Sequence, residues 1–148
     1  MSPSIKRKHH SSAGFTLMEI MVVIFIIGLL VAIVAPNVLS NQDKAVEQKV
    51  RADLATLEQA LDMYRLDNLR YPSTEQGLSA LVTRPAQPPE PRSYREDGYI
   101  RRLPEDPWGM PYQYRIPGEH GRIDVFSLGA DGLPGGEGSD ADIGNWSL

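Results

Sequence analysis

Two hydrophobic patterns follow one another along the first half of the chain with no turn signal between them. The first is continuous: from Phe15 to Ala35, 21 residues carry a single charge, Glu19. At about 1.5 Å per residue this run matches the ~30 Å hydrocarbon core of a bilayer, so it predicts a membrane-spanning helix. The second pattern is periodic. Val46, Val50, Leu54, Leu57, Leu61 and Tyr64 recur at spacings of 4, 4, 3, 4 and 3, the repeat of one helix face. Lys44, Glu47, Lys49, Arg51, Asp53, Glu58 and Asp62 lie between them as a solvated outer face. Together they predict one helix from about Phe15 to about Asn68, its first half in lipid and its second packed on a folded domain. Pro36 stands at the junction as a candidate kink, because proline removes a backbone donor and clashes one turn back.

The second half of the chain is punctuated by turns. Tyr71-Pro72-Ser73 ends the long helix, and Ser73 with Gln76 forms a capping-box pattern that predicts a short helix over Thr74 to Val82. Four prolines between Thr83 and Arg92 predict an extended loop. Tyr99 to Leu103 reads as a short helix or an extended segment, before the turn-rich Pro104 to Gly109. Tyr112–Ile116 and Arg122–Leu128 are strand candidates, joined through Pro117-Gly118-Glu119-His120-Gly121 as a hairpin. Ile123 and Val125 share one face of the second strand, with Ser127 a candidate for the same face, and Asp124, Phe126 and Leu128 take the other. Gly129 to Gly144 is a glycine-rich acidic loop, followed by a short tail with Trp146.

Charge and composition then narrow the possibilities. Lys6, Arg7 and Lys8 precede the apolar run, so the amino terminus is expected on the cytoplasmic side and the folded domain across the membrane. Without that leader 12 basic residues face 19 acidic ones, a poor balance for binding nucleic acid. There is no cysteine, so a small extracytoplasmic domain needs another staple, for which a metal or a polymer partner would serve.

The leader junction and Glu19 carry chemistry. A secretory signal is cut after its apolar core, whereas here Gly14 and Phe15 stand before it. Cleavage after Gly14 would leave the whole helix on the mature protein, with Phe15 as its amino terminus; an uncleaved anchor is the alternative. A carboxylate at mid-bilayer costs about 2.5–3.5 kcal/mol. Glu19 either stays protonated or reaches the headgroups, or it pairs with a positive group at the same depth, such as the free amine of a neighbouring copy's Phe15.

Gly14-Phe15-Thr16-Leu17-Met18-Glu19, behind a basic leader and before a long apolar run, closely resembles the type IV prepilin signature. The resemblance implies that a prepilin peptidase cuts after Gly14 and methylates Phe15, and that Glu19 serves assembly of a helical filament. Four later stretches are similar to the major pseudopilins of type II secretion systems: Tyr71 to Leu78, Gly98 to Pro104, Asp106 to Gly109 and Phe126 to Gly132. Adhesive pilins usually carry a disulfide loop, so the absence of cysteine favours the pseudopilins.

Asp131, Glu137, Asp140 and Asp142 fall within 12 residues among Gly132, Gly135, Gly136 and Gly138. Hard oxygen ligands on a pliable backbone suit Ca²⁺, although the spacing is not that of an EF-hand. By spacing alone a solvated loop is the commoner outcome. The resemblance implies instead a calcium ion held by the Leu128 carbonyl and the carboxylates of Asp131, Asp140 and Asp142, with Glu137 or the Ser139 backbone as substitutes. His9, His10 and His120 form no constellation, and His120 is expected to be solvated. Ser73 and Ser127 lack His and Asp partners in a plausible order, so no enzyme is expected.

The expected architecture is α+β, with the pilin-like long helix on a small antiparallel sheet and a calcium loop at the carboxy-terminal end. Residues 1–14 form a cleaved leader, 15–35 the transmembrane and polymerisation segment, and 36–148 a periplasmic domain. The expected partners are further copies of the chain, minor pseudopilins, the inner-membrane assembly platform, the prepilin peptidase and the membrane. The expected role is the major subunit of the periplasmic pseudopilus that drives export of folded proteins. An adhesive or competence pilin, or a non-polymerising single-pass calcium-binding protein of the inner membrane, are the rivals.

Overall fold

The computed structural model describes residues 14–148, apart from the side chains of 35–41. The leader residues Lys6, Arg7, Lys8, His9 and His10 and the bulk of the 1–14 segment therefore lie outside the described residues. The chain divides into two compact units at Ser40 and Asn41.

Helix α1 runs Leu17–Asn68. Its start follows from Thr16, whose Oγ1 accepts the Glu19 N–H at 3.2 Å and so satisfies one orphan donor of the first turn. The helix thus begins two residues after Phe15, the expected start. In the first unit, Leu17–Val34 has a mean hydropathy of 3.1, long and apolar enough to cross a membrane. Every described side chain there is exposed.

In the second unit, Val50, Leu54, Leu57, Leu61 and Tyr64 of α1 are buried, as the periodicity predicts; Ala60 is buried beside them, whereas Val46, expected on the same face, is only half-buried. The buried side chains pack with Leu78, Ala80, Leu81, Tyr112, Ile123 and Val125 into one apolar cluster. Asn68 closes the helix: its Nδ2 donates to the Tyr64 carbonyl and to Tyr99 Oη, both at 2.9 Å, and its Oδ1 accepts the Ser93 N–H at 3.0 Å. Tyr112 crosses from the sheet side to donate its hydroxyl to Asp53 Oδ2 at 2.9 Å. Burial and the Asp53 carboxylate push that hydroxyl far above its ordinary range, which keeps it a neutral donor.

The expected helix over Thr74 to Val82 is a correction. Both capping-box bonds form, Ser73 N–H to Gln76 Oε1 at 3.0 Å and Gln76 N–H to Ser73 Oγ at 3.2 Å. Gly77 then turns to φ +60°, outside helical space, and only a 3₁₀ turn at Leu78–Leu81 follows. Tyr99 to Leu103 adopts bends rather than regular structure.

The hairpin forms as read, with shorter strands. β1 (Gln113–Arg115) pairs antiparallel with β2 (Asp124–Ser127), Tyr114 opposite Val125. A third strand, β3 (Ile143–Gly144), pairs antiparallel on the other side of β2, which is therefore central. It was not legible in the sequence, since two residues carry no alternation.

Candidate functional site

At the amino-terminal end, Gly14, Phe15 and Thr16 precede the helix in non-helical, exposed backbone. A protease needs an accessible, unwound peptide bond, and the bond between Gly14 and Phe15 meets that requirement. Glu19 lies in the first turn of α1 and is exposed, where negative charge complements the helix dipole. Its backbone N–H is capped by Thr16, and its carboxylate has no ion-pair partner among the described residues.

The acidic loop is wound tightly around its own backbone. Ala130 N–H donates to the Ser139 carbonyl at 2.9 Å, and Asp142 N–H to the Gly135 carbonyl at 3.1 Å. Gly129, at φ +70°, lies so close to the Asp140 backbone that a Cβ there would stand 2.6 Å from it. Asp131 is exposed, and its Oδ1 accepts the Leu133 N–H at 3.0 Å in a local turn. Asp140 and Asp142 are half-buried. Asp142 Oδ2 accepts the Gly135 N–H at 3.0 Å, while its Oδ1 is buried with no hydrogen-bond partner. A buried carboxylate oxygen without a donor is one that a hard cation would satisfy. Leu128 and Asp142 line one cavity. However, no group of three or more His, Asp or Glu side chains is gathered closely enough to hold a metal among the described residues. The donors belong to one short loop, but Asp131, Asp140 and Asp142 are not assembled as a closed set.

Two buried carboxylates that sequence reasoning passed over organise the turns around the sheet. Asp106 Oδ1 accepts the N–H groups of Trp108 at 3.1 Å and Met110 at 2.7 Å, and its Oδ2 accepts Ser127 Oγ–H of β2 at 2.7 Å. Asp124, on the face of β2 opposite Ile123 and Val125, is buried too. Its oxygens accept the hairpin N–H groups of Glu119 at 2.7 Å, His120 at 3.1 Å and Gly121 at 3.2 Å. Burial alone would raise the Asp124 carboxyl; the N–H donors of His120 and Glu119, with the His120 ring, outweigh it and hold the group below the usual carboxylate range. The signal was an aspartate spaced three to five residues from a glycine-rich turn, which reads equally well as surface. His120 is solvent-exposed, as expected, and one face of its ring stacks on Trp146.

Residues 37–146 match the family model described as "Type II secretion system (T2SS), protein G", and residues 9–35 match the prokaryotic N-terminal methylation motif. The chain is 61% identical over 141 residues to a type II secretion system core protein G of Klebsiella michiganensis, covering 95% of this chain and 97% of that one. It is 60% identical to the Vibrio cholerae protein of the same name, covering 96% and 97%. The crystal structure of the major pseudopilin from the type 2 secretion system of enterohaemorrhagic Escherichia coli is similar, with TM-score 0.70 and 62% identity, covering 76% of this chain and 96% of that one. The fold is thus shared with that neighbour over 76% of this chain. The chain belongs to the protein G family of the type II secretion system, the family of major pseudopilins.

Proposed function

We propose that this chain is the major subunit of a type II secretion pseudopilus: it is anchored once in the inner membrane with its carboxy-terminal unit in the periplasm, then polymerises to drive folded proteins outward. The observation that carries the reading is an apolar helical segment, Leu17–Val34, exposed along its whole length, with one carboxylate, Glu19, in its first turn that has no ion-pair partner among the described residues. An apolar surface of that extent needs lipid or other copies of itself around it. Cleavage after Gly14 by a prepilin peptidase creates the free amine of Phe15 at the same end of the helix. In a bundle of copies that amine, methylated, sits opposite a neighbour's Glu19 and offsets the cost of burying it. The subunit acts by packing, not by catalysis. Minor pseudopilins and the inner-membrane assembly platform are its further partners. The test is Glu19→Ala in the full chain: membrane insertion stays normal, while filaments and export of folded substrate are lost. Normal secretion by that variant contradicts the pairing.

The acidic loop is the proposed calcium site, with the Leu128 carbonyl, Asp131, Asp140 and Asp142 as ligands. The orphaned Asp142 Oδ1 supports it. When bound, the ion would supply a fixed charge that ties a glycine-rich loop to the end of β2 and the start of β3. A chelator should lower the unfolding temperature of the wild-type chain but not that of Asp142→Ala. Equal curves with and without chelator in the wild type remove the site.

A further inference from the structure

The carboxy-terminal tail is held against β2 and α1 by polar contacts whose strength is indifferent to mild acid. Asn145 Oδ1 accepts the Val125 N–H at 3.1 Å, and its Nδ2 donates to Glu58 Oε1 at 2.6 Å and to the Ile123 carbonyl at 3.2 Å. Arg51 donates to the Ser147 carbonyl. Trp146 makes a different kind of contact. Its ring lies face to face with His120 of the hairpin, centroids 3.9 Å apart and planes within 17°, and tilts against Phe126 at 5.7 Å. Gly144 lies directly under the indole, leaving no room there for a Cβ.

His120 has a second partner. Its Nδ1 is 3.2 Å from Asp124 Oδ2, and this is the single ion-pair contact of that buried carboxylate among the described residues. Asp124 is only 2% exposed, whereas the His120 side chain is 47% exposed and open to protons. We propose that His120, Asp124 and Trp146 form an acid-tightened clasp that fastens the carboxy-terminal tail to the β1–β2 hairpin.

The chemistry follows from what protonation does to each contact. An imidazolium on the face of an indole gains a cation–π attraction that the neutral ring lacks. Toward Asp124, Nδ1 of the cation is always a donor, whereas the neutral ring carries a proton there in only one tautomer. Both contacts therefore strengthen together, and both hold the ring in one place. From α1, Glu58 and Asp62 line the cavity beside the ring, with Tyr71 after the helix and Arg122 from the hairpin. On the ring's other cavity stand Glu119 of the hairpin, Asp142 of the acidic loop and Arg115 of β1, which is itself paired with Glu119. Carboxylates thus outnumber guanidiniums around His120. The tail is docked through Asn145 whichever protonation state His120 takes, and protonation of that ring makes it harder to lift. This inference is independent of polymerisation.

The test uses the full chain in detergent with Trp108→Phe, which leaves Trp146 as the one indole. Protonated imidazole quenches a stacked indole, so emission should be lower at acid than at neutral pH. In the otherwise unmodified chain, exchange of the Val125 amide, bonded to the tail through Asn145, should slow by roughly two- to fivefold at acid pH after correction for intrinsic rates, the factor a cation–π contact supplies. His120→Gln, which keeps a donor toward Asp124 but cannot titrate, should abolish both responses. Equal pH responses in His120→Gln, or none in the parent chain, overturn the clasp.

Discussion

Leu30 and Leu54 stand in the same helix and have the same side chain, yet Leu54 is 0% exposed and Leu30 is 56% exposed. The second half of α1 repeats its apolar residues on one stripe and covers that stripe with the sheet, the 3₁₀ turn and Tyr112. The first half is apolar on all sides, and nothing in its own unit covers it. A periodic pattern carries its own solvent-shielding partner within the chain, whereas a continuous one requires an apolar environment from outside. Under the proposed function that environment is lipid first and other subunits afterwards. Folding and assembly are therefore written into adjacent turns of one helix and should respond to different substitutions.

The sharpest separation is expected from matched truncations. Leu54→Ala should destabilise the 41–148 unit by about 3 kcal/mol, within the 2–5 kcal/mol range of buried leucine truncations, read by denaturant unfolding. Leu30→Ala should leave that unfolding curve within about 0.5 kcal/mol, because the side chain is exposed in its own unit. Equal losses from both would erase the distinction. Next comes Asp106→Ala, which strands the N–H groups of Trp108 and Met110 and the hydroxyl of Ser127; about 2–3 kcal/mol should be lost, with the turn before β1 exchanging its amides faster.

A smaller effect, about 1–2 kcal/mol at neutral pH, is expected for Asp124→Asn, since the amide keeps one acceptor oxygen for the hairpin donors. Its pH dependence is specific. The folded carboxyl lies below its usual range, so its contribution is complete above the unfolded value near pH ~3.9 and is lost as pH falls through the lower folded value. The stability gap between parent and variant should close only in that acid window. A constant gap would mean that shape, not charge, makes Asp124 useful.

What could be read from the chain depended on how local its causes were. The six apolar positions of α1 from Val46 to Tyr64 announced a helix face, and five of them, all but Val46, are buried core. The hairpin was visible because its turn residues sit between alternating strands. Gly77 defeated the expected helix over Thr74 to Val82 although the capping box beside it formed as read. β3 and the roles of Asp106 and Asp124 were hidden for another reason: each depends on partners brought together only by the fold. Asp106 reaches Ser127 across 21 positions, and Asn145 reaches Glu58 across 87. The amino-terminal signature was legible as a motif, since its chemistry lies within six consecutive residues.

Under the proposed function, the division of labour within α1 rests on a cut that converts an anchor into a packing element. The intact mass of subunits recovered from sheared filaments tests it directly. The expected species begins at Phe15, lacks residues 1–14 and carries one added methyl group. Filaments built from chains that still begin at Met1 would show that the helices pack without the Phe15 amine, and Glu19 would then need another partner.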